Sequence, residues 1–205
     1  LTKIGNFKEA EVSLRKAIGL NPNYAEAYYN LGNILKDLGK LKEAELLYRK
    51  AIELKSNYED AHYNLGNILT KIGNFKEAEV SLHKAIELNP DFAMAYNALS
   101  LLKYSDNNQI WQNQLFSKII LNNKLPEDQV DIYFARANVL HKKKIYKNSS
   151  KNLQLANDLK LDLHPTNANT LINKSITLLM ESDKQASNKI ESTNFPESIF
   201  IVGMP

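Results

Sequence analysis

Side-chain amides stand out first among the groups able to do chemistry. Stepping by four, three and four residues from Glu26 gives Asn30, Asn33 and Asp37, and the same steps from Asp60 give Asn64, Asn67 and Lys71. An amide can donate to one main-chain carbonyl and accept from one main-chain N–H. A row of asparagines can therefore hold an extended peptide by its backbone without reading its side chains. The other use of such a row is to satisfy neighbouring polar groups on a solvated face, and both uses stay open at this stage. Tyr29 and Tyr63 lie beside the row. The remaining chemistry is sparse. His62, His83, His141 and His164 show no metal-ligand spacing, and the absence of cysteine excludes disulfides, thiolate metal sites and cysteine nucleophiles. The many carboxylates stand beside lysines as solvated helix pairs. No nucleophile–base constellation is legible, so neither catalytic nor metal-binding residues are expected in this chain.

The elements that must position the asparagines are written into a repeat. LTKIGNFKEAEVSL begins at Leu1 and recurs word for word at Leu69, with the variant LKDLGKLKEAELLY at Leu35 between them. The step is 34 residues, a period that marks stacked helical hairpins. Residues 25–58 and 59–92 form two complete units, preceded by a truncated one and followed by one more first helix, AMAYNALSLL, from Ala93. Tyr28, Leu31 and Leu35 recur as His62, Leu65 and Leu69, one stripe at helical spacing. Gly32 and Gly66 are small where a paired helix must approach, and Ala44 and Ala78 answer them from the second helix. Tyr48 and Ala51, or Leu82 and Ala85, continue that second face. Gly39 and Gly73 sit at the turn, while Pro22 and Pro90 follow the second helix, with Ser56 in the middle unit.

Over roughly the first half of the chain these positions resemble the tetratricopeptide repeat family. The resemblance implies an all-α superhelical solenoid of antiparallel helix pairs that binds a polypeptide in a groove lined by first helices. The stripe Glu26, Asn30, Asn33, Asp37 and its copy look like the asparagine ladder of the repeats attached to O-GlcNAc transferase. The basic clamp of chaperone-tail-binding repeats is missing, because Tyr29 and Tyr63 stand near the places where lysine would be wanted. From Ala93 the stripe turns apolar as Met94, Ala98 and Leu101, which suggests that the next part of the chain packs there.

Composition bounds the alternatives. The 205 residues, 43% hydrophobic and 24% charged, suit one or two soluble domains. A net charge of +3 gives no reason by itself to expect nucleic acid or a membrane as partner. No apolar run reaches membrane-spanning length, and a soluble, cytoplasmic protein is the expectation. The sequence opens inside a repeat, so residues 1–24 should form a second helix whose apolar face of Phe7, Ala10, Leu14 and Ala17 lacks part of its cover.

After Tyr104 the repeat fades. SDNNQ reads as a capped turn and IWQNQLFSKII as one amphipathic helix carrying Trp111, Leu115 and Ile119. Pro126 opens another helix with two acidic residues in its first turn. From Val130 a degenerate repeat aligns, with Tyr133 and Ala137 in the first-helix core, Tyr146 at the turn, and Ser149, Leu153 and Ala156 on the second helix. The run from His141 to Lys144 reads as a solvated helix end, where cations oppose the dipole. A further helix is expected over residues 167–180, burying Leu171, Ile172, Ile176 and Leu179.

The last residues, FPESIFIVGMP, change character. Pro196 breaks any helix, and Ile199, Phe200, Ile201 and Val202 suit a short buried strand running into Gly203. A strand ending in a glycine-led loop is a framework that cradles phosphates. The segment is similar to the opening of the sulfotransferase domain, whose strand runs into Gly-Met-Pro-Arg-Ser-Gly-Thr. That resemblance implies 3′-phosphoadenosine-5′-phosphosulfate as the cofactor of a longer parent protein. Only Gly203, Met204 and Pro205 carry over, as the entrance of the cofactor loop, since the sequence ends before the Arg, Ser and Thr.

The organisation expected is therefore repeats over residues 1–104, a degenerate repeat over 105–160, a helical linker over 161–195 and a first strand over 196–205. The leading functional expectation is a protein-interaction or acceptor-presenting arm of a sulfotransferase-like enzyme, inactive as given. Its partner would be a polypeptide ligand or its own downstream catalytic domain. The alternative is a stand-alone scaffold that binds an extended peptide through Glu26, Tyr29, Asn30, Asn33, Asp60, Tyr63, Asn64, Asn67 and Lys71. A third possibility, the arm of a glycosyltransferase, rests on the asparagines alone, and IFIVGMP argues against it.

Overall fold

The computed structural model describes residues 2–102 and 109–164, and every structural statement below concerns these. They form helices α1 (Thr2–Leu20), α2 (Ala25–Asp37), α3 (Leu41–Leu54), α4 (Glu59–Lys71), α5 (Phe75–Leu88), α6 (Ala93–Leu101), α7 (Gln109–Phe116), α8 (Pro126–Lys142) and α9 (Tyr146–Leu163). A 3-10 turn, Ile119–Leu121, follows α7. No strand occurs among the described residues. The expected strand at residues 196–205 and the helix at 167–180 lie outside them.

Each hairpin closes in the same way. At Gly39, φ is +76°, and at Gly73 it is +86°, a left-handed conformation that glycine adopts without a Cβ clash. The residue after each glycine donates back to the helix: Lys40 N–H to Leu35 O at 2.8 Å, and Asn74 N–H to Leu69 O at 2.8 Å. These are the six-to-one bonds of a Schellman ending. The α8–α9 hairpin repeats the pattern, with Ile145 N–H on Leu140 O at 2.9 Å and Lys144 in glycine's place at φ 60°. Between units, Asn21 and Asn89 turn the chain by accepting from the backbone N–H two residues on, at 3.1 and 3.0 Å.

Close packing explains the small residues. A Cβ built on Gly32 would meet the Tyr48 ring at 2.8 Å, and one on Gly66 would meet Leu82 Cγ at 2.7 Å. Ala44, Tyr48, Ala51, Ala78, Leu82 and Ala85 are wholly buried along α3 and α5. Leu31, Leu35, Leu65 and Leu69 face them, each worth about 1.5–3 kcal/mol of transfer free energy when removed from water. Tyr28 and His62, expected in the same stripe, are only half-buried.

The first copy of the repeated word behaves differently from the second. Residues 2–20 run as one helix, α1, whereas the identical segment from Leu69 breaks at Gly73. In the second copy Leu69 is buried beneath α5, which anchors the turn. Phe7, Ala10, Leu14 and Ala17 are half-exposed, and the counterparts of the last three in α3 and α5 are wholly buried.

Past α6 the expectation of a single helix over IWQNQLFSKII does not hold. Helix α7 ends at Phe116, and the chain bends before the 3-10 turn. Trp111, Leu115 and Ile120 enter the core, while Ile119 is 77% exposed. The physical cause is Arg136 on α8, whose guanidinium donates to Leu115 O and Ser117 O, both at 2.8 Å. Those carbonyls would otherwise serve the next helical turn. In α8, Ile132 and Ala135 are buried with Ala137, and Tyr133 is only half-buried. On α9, Ser149 and Ala156 are buried, Leu153 is half-buried and Tyr146 is 55% exposed. Ser149 Oγ donates to Ala137 O at 2.8 Å, so this hairpin also closes through small residues.

With its second-helix partner shortened, α6 packs directly on α8. Asn97 Nδ2 donates to Asp131 Oδ1 at 2.7 Å, Asn138 Nδ2 to Ser100 Oγ at 3.0 Å, and Lys142 Nζ to Leu102 O. Residue numbers rise together along both helices, so the two first helices run parallel.

Candidate binding groove

The polar stripe lies on the open face of α2 and α4, and the structure divides its members. Asn64 is buried at 8% exposure. Its amide donates to Tyr29 Oη and to Asn33 Oδ1, both at 3.1 Å. Asn33 Oδ1 also accepts from the Tyr48 hydroxyl at 2.7 Å. These two asparagines therefore tie α2, α3 and α4 together. Tyr29 belongs to the same tie, its ring centroid 4.8 Å from Tyr58 and 5.8 Å from Tyr48. Burial pushes the Tyr58 hydroxyl up to about 12, with Tyr29 and nearby carboxylates adding to the rise.

Asn67 occupies the repeat position of Asn33 one unit later, with different neighbours. Leu82 replaces Tyr48 and Ala98 replaces Asn64, so neither of Asn33's partners exists. Asn67 is half-buried and lies near the Tyr63 hydroxyl on its own helix. Tyr63 packs on Phe92 with centroids 5.0 Å apart, the counterpart of the Tyr29–Tyr58 pair. Its hydroxyl is raised by burial, against the effect of Asn67. Asn30 is exposed, and no hydrogen-bond partner is found for it among the described residues.

The charged members flank these amides. Glu26 is paired with Lys55 at 3.3 Å. Its carboxyl is held below the usual range, first by its own backbone N–H and then by Lys55. Lys55 also lies 4.5 Å from the Tyr58 ring. The Asp60 carboxyl is raised, first by crowding from the surrounding chain and then by Glu59, with Lys55 opposing. Asp37 and Lys71 are exposed at the C-terminal ends of their helices. On α6, Met94 is 44% and Leu101 45% exposed. Ala98, the third member of this apolar stretch, is half-buried against the core.

The stripe resumes on α8, which the sequence reading missed. Asp131, Ala135, Asn138 and Lys142 follow the same four-three-four step. The signal was there, displaced by three residues from the 34-residue register because α7 and the 3-10 turn replace a full second helix. Asp131, Asn138 and Lys142 are bonded to α6. The Asp131 carboxyl is raised by burial despite the Asn97 donor, and Asp128 adds to the rise.

Nothing in the described residues suggests an ion site or a membrane span. No group of three or more potential metal ligands occurs among them, and none of their helices is long and apolar enough to cross a membrane. The calls on Gly203, Met204 and Pro205 lie outside the described residues.

Comparison with known proteins places the repeats. The TPR repeat family matches residues 1–39 and 32–73, and the tetratricopeptide repeat family matches residues 59–92. No curated protein matches the sequence. Among solved structures, MamA is 22% identical with a TM-score of 0.60, over 78% of this chain and 92% of that one. YrrB, described as a TPR protein with an unusual peptide-binding site, is 23% identical with a TM-score of 0.57, over 85% and 87%. PilF of Pseudomonas aeruginosa is 23% identical with a TM-score of 0.56, over 77% and 70%. These likenesses concern the fold, an all-helical solenoid of helix pairs. Residues 1–92 are therefore tetratricopeptide repeats.

Proposed function

We propose that the open face of α2, α4 and α6 holds an extended polypeptide segment, and that the protein acts as an interaction scaffold. Asn67 is the observation that carries the reading. It stands where Asn33 is consumed by Tyr48 and Asn64, yet Leu82 and Ala98 leave it without those partners. An amide kept in the groove and not tied to a neighbouring helix can pair with a peptide's main chain. Asp60, Tyr63 and Lys71 surround it with groups that can orient the segment, and Met94 and Leu101 offer the next unit's apolar floor. Asn30 takes the same role one unit earlier, while Glu26, Tyr29, Asn33 and Asn64 shape the groove.

A peptide array probed with the purified chain tests the reading. Asn67→Ala should weaken the strongest peptides about tenfold, the cost of one main-chain pairing with a half-buried amide. Binding that is indifferent to Asn67, Asp60 and Lys71 together would overturn the groove as the site.

A second reading is favoured by the order of repeats, worn repeat and FPESIFIVGMP. In it the solenoid presents an acceptor to a sulfotransferase-like domain of a longer protein. That domain would bind 3′-phosphoadenosine-5′-phosphosulfate through a loop entered at Gly203, Met204 and Pro205. Sequencing the locus past the codon for Pro205 tests it. Arg-Ser-Gly-Thr or a near variant supports the reading, and any other continuation removes it.

A further inference from the structure

The net charge of +3 conceals a segregation that the fold brings out. Antiparallel hairpins place every turn within a unit on one long edge of the array and every connector between units on the other. On the turn edge, Lys40 and Lys42 are exposed between α2 and α3, and Lys71 and Lys76 between α4 and α5. Lys143, Lys144 and Lys147 are exposed between α8 and α9. Carboxylates on this edge are partly spoken for: Asp37 lies 4.0 Å from Lys36, and Glu77 binds Arg49 at 2.6 Å. The connector edge has the opposite sign, with Glu59, Asp60, Asp91, Glu127 and Asp128. Its cations Lys55 and Lys124 are paired with Glu26 and Asp91, at 3.3 and 2.9 Å.

The lysines of the turn edge alternate with apolar groups in the open. Ile72 is 40% exposed and Phe75 39%, between Lys71 and Lys76. Ile145 is 44% and Tyr146 55% exposed, between Lys144 and Lys147. Helix dipoles account for cations at these helix ends, but not for the partly exposed isoleucines, Phe75 and Tyr146 beside them, Tyr146 resting edge-on against His141 at 5.4 Å. The basic residues are all lysines, which lack the planar fork that reads phosphodiesters and bases. Long lysine stems let the ammonium groups reach upward while neighbouring apolar groups go deeper. That combination of apolar residues with a lysine fringe suits the interface of a lipid bilayer.

We infer that the turn edge seats this protein on an anionic phospholipid surface. Ile72, Phe75, Ile145 and Tyr146 enter the boundary between headgroups and acyl chains, and the flanking lysines meet the lipid phosphates. Such contact needs no spanning helix. The acidic connector edge then points away from the membrane. The groove's amides lie on helix faces, so they stay open when the edge is seated, and Lys71 at the end of α4 is shared by both surfaces.

Co-sedimentation of the whole chain with vesicles tests it, comparing phosphatidylserine mixed equally with phosphatidylcholine against phosphatidylcholine alone. The chain should pellet with the anionic vesicles and be released as salt is raised. Lys42→Gln and Lys76→Gln should each reduce partitioning about fivefold, and the double lysine variant more. Ile145→Ser with Tyr146→Ser should weaken vesicle binding while leaving any retention on soluble polyglutamate unchanged. These positions are exposed, and unchanged helical circular dichroism checks the fold of each variant. Failure to pellet with anionic vesicles at low salt would overturn the inference, as would full binding by the double lysine variant. Tighter binding to duplex DNA that ignores Ile145 and Tyr146 would also overturn it and assign the edge to nucleic acid.

Discussion

The amide of Asn64 donates to the side-chain oxygen of Asn33 across 3.1 Å, joining two first helices through their groove faces. The same oxygen takes the Tyr48 hydroxyl at 2.7 Å. Asn33→Ala leaves the hydroxyl of the wholly buried Tyr48 unmatched and the Asn64 amide with Tyr29 alone, and should cost about 1–3 kcal/mol of stability. Asn67→Ala, at the same repeat position without those partners, should cost less than about 1 kcal/mol. Urea denaturation of the two variants side by side checks the contrast, and equal losses would contradict it.

Gly66 is held small by its neighbours. A methyl group there would sit 2.7 Å from Leu82 Cγ and 3.2 Å from the Ala78 carbonyl oxygen. Neither can retreat easily, since Leu82 is wholly buried and the oxygen is main chain. Alanine is the better helix former by about 1 kcal/mol, yet overpacking costs about 1–3 kcal/mol. Gly66→Ala should therefore lower the thermal midpoint, whereas Gly19→Ala, with nothing within 4 Å, should not. A rise for Gly66→Ala would show that the helix pair has slack.

Lys144 carries strain that its counterparts avoid. It holds φ at 60° in the turn where Gly39 and Gly73 stand in the other hairpins. A left-handed residue with a Cβ costs about 1–2 kcal/mol. Lys144→Gly should recover about half of this or more, the remainder being lost to the added freedom of the unfolded chain. Chemical denaturation reads the gain. No gain would mean that the turn has already relaxed around the lysine.

Two histidines make the solenoid sensitive to acid. Burial holds both His62 and His83 below their ordinary 6.5, with the Ser56 carbonyl opposing at His62 and Glu79 at His83. The folded state thus favours the neutral rings, and the unfolded chain takes up protons first. Their contribution is fully present above pH 6.5 and is lost as pH falls through the depressed folded values. His62→Tyr places the residue found at the same repeat position in Tyr28 and Tyr96. It should flatten part of the fall in thermal midpoint below pH 6.5. An unaltered pH profile would assign the acid sensitivity elsewhere.

What the sequence made legible was what the repeat writes several times. Gly32, Gly66, Ala44 and Ala78 announce a close helix pair because sterics leave those positions few options, and the structure places them there. Gly39 and Gly73 announce the turns for the same reason. The break after Phe116 was not legible locally, since no proline or glycine marks it. Its cause, Arg136, lies on a different helix and reaches Leu115 and Ser117 through space. A clue existed, because Arg136 falls where Leu31 and Leu65 fill the core once the hairpin is aligned at Val130. A charge at a core position asks for a buried acceptor. The groove was half legible: spacing found the asparagines, but only their neighbours decide which are consumed, and those come from the paired helix (Tyr48) and from the next repeat (Asn64).

The direct clasp of α6 on α8 changes how the array would come apart under load. In a simple stack each hairpin touches only the next, and the chain can peel one unit at a time. Asn97, Ser100 and Leu102 are instead held by Asp131, Asn138 and Lys142 across a shortened partner. Pulled from its ends, the array would yield singly at α1 and the first hairpins, then meet α6 to α9 as one brittle block. The irregular stretch that looks like decay in the repeat is thus the part that resists longest.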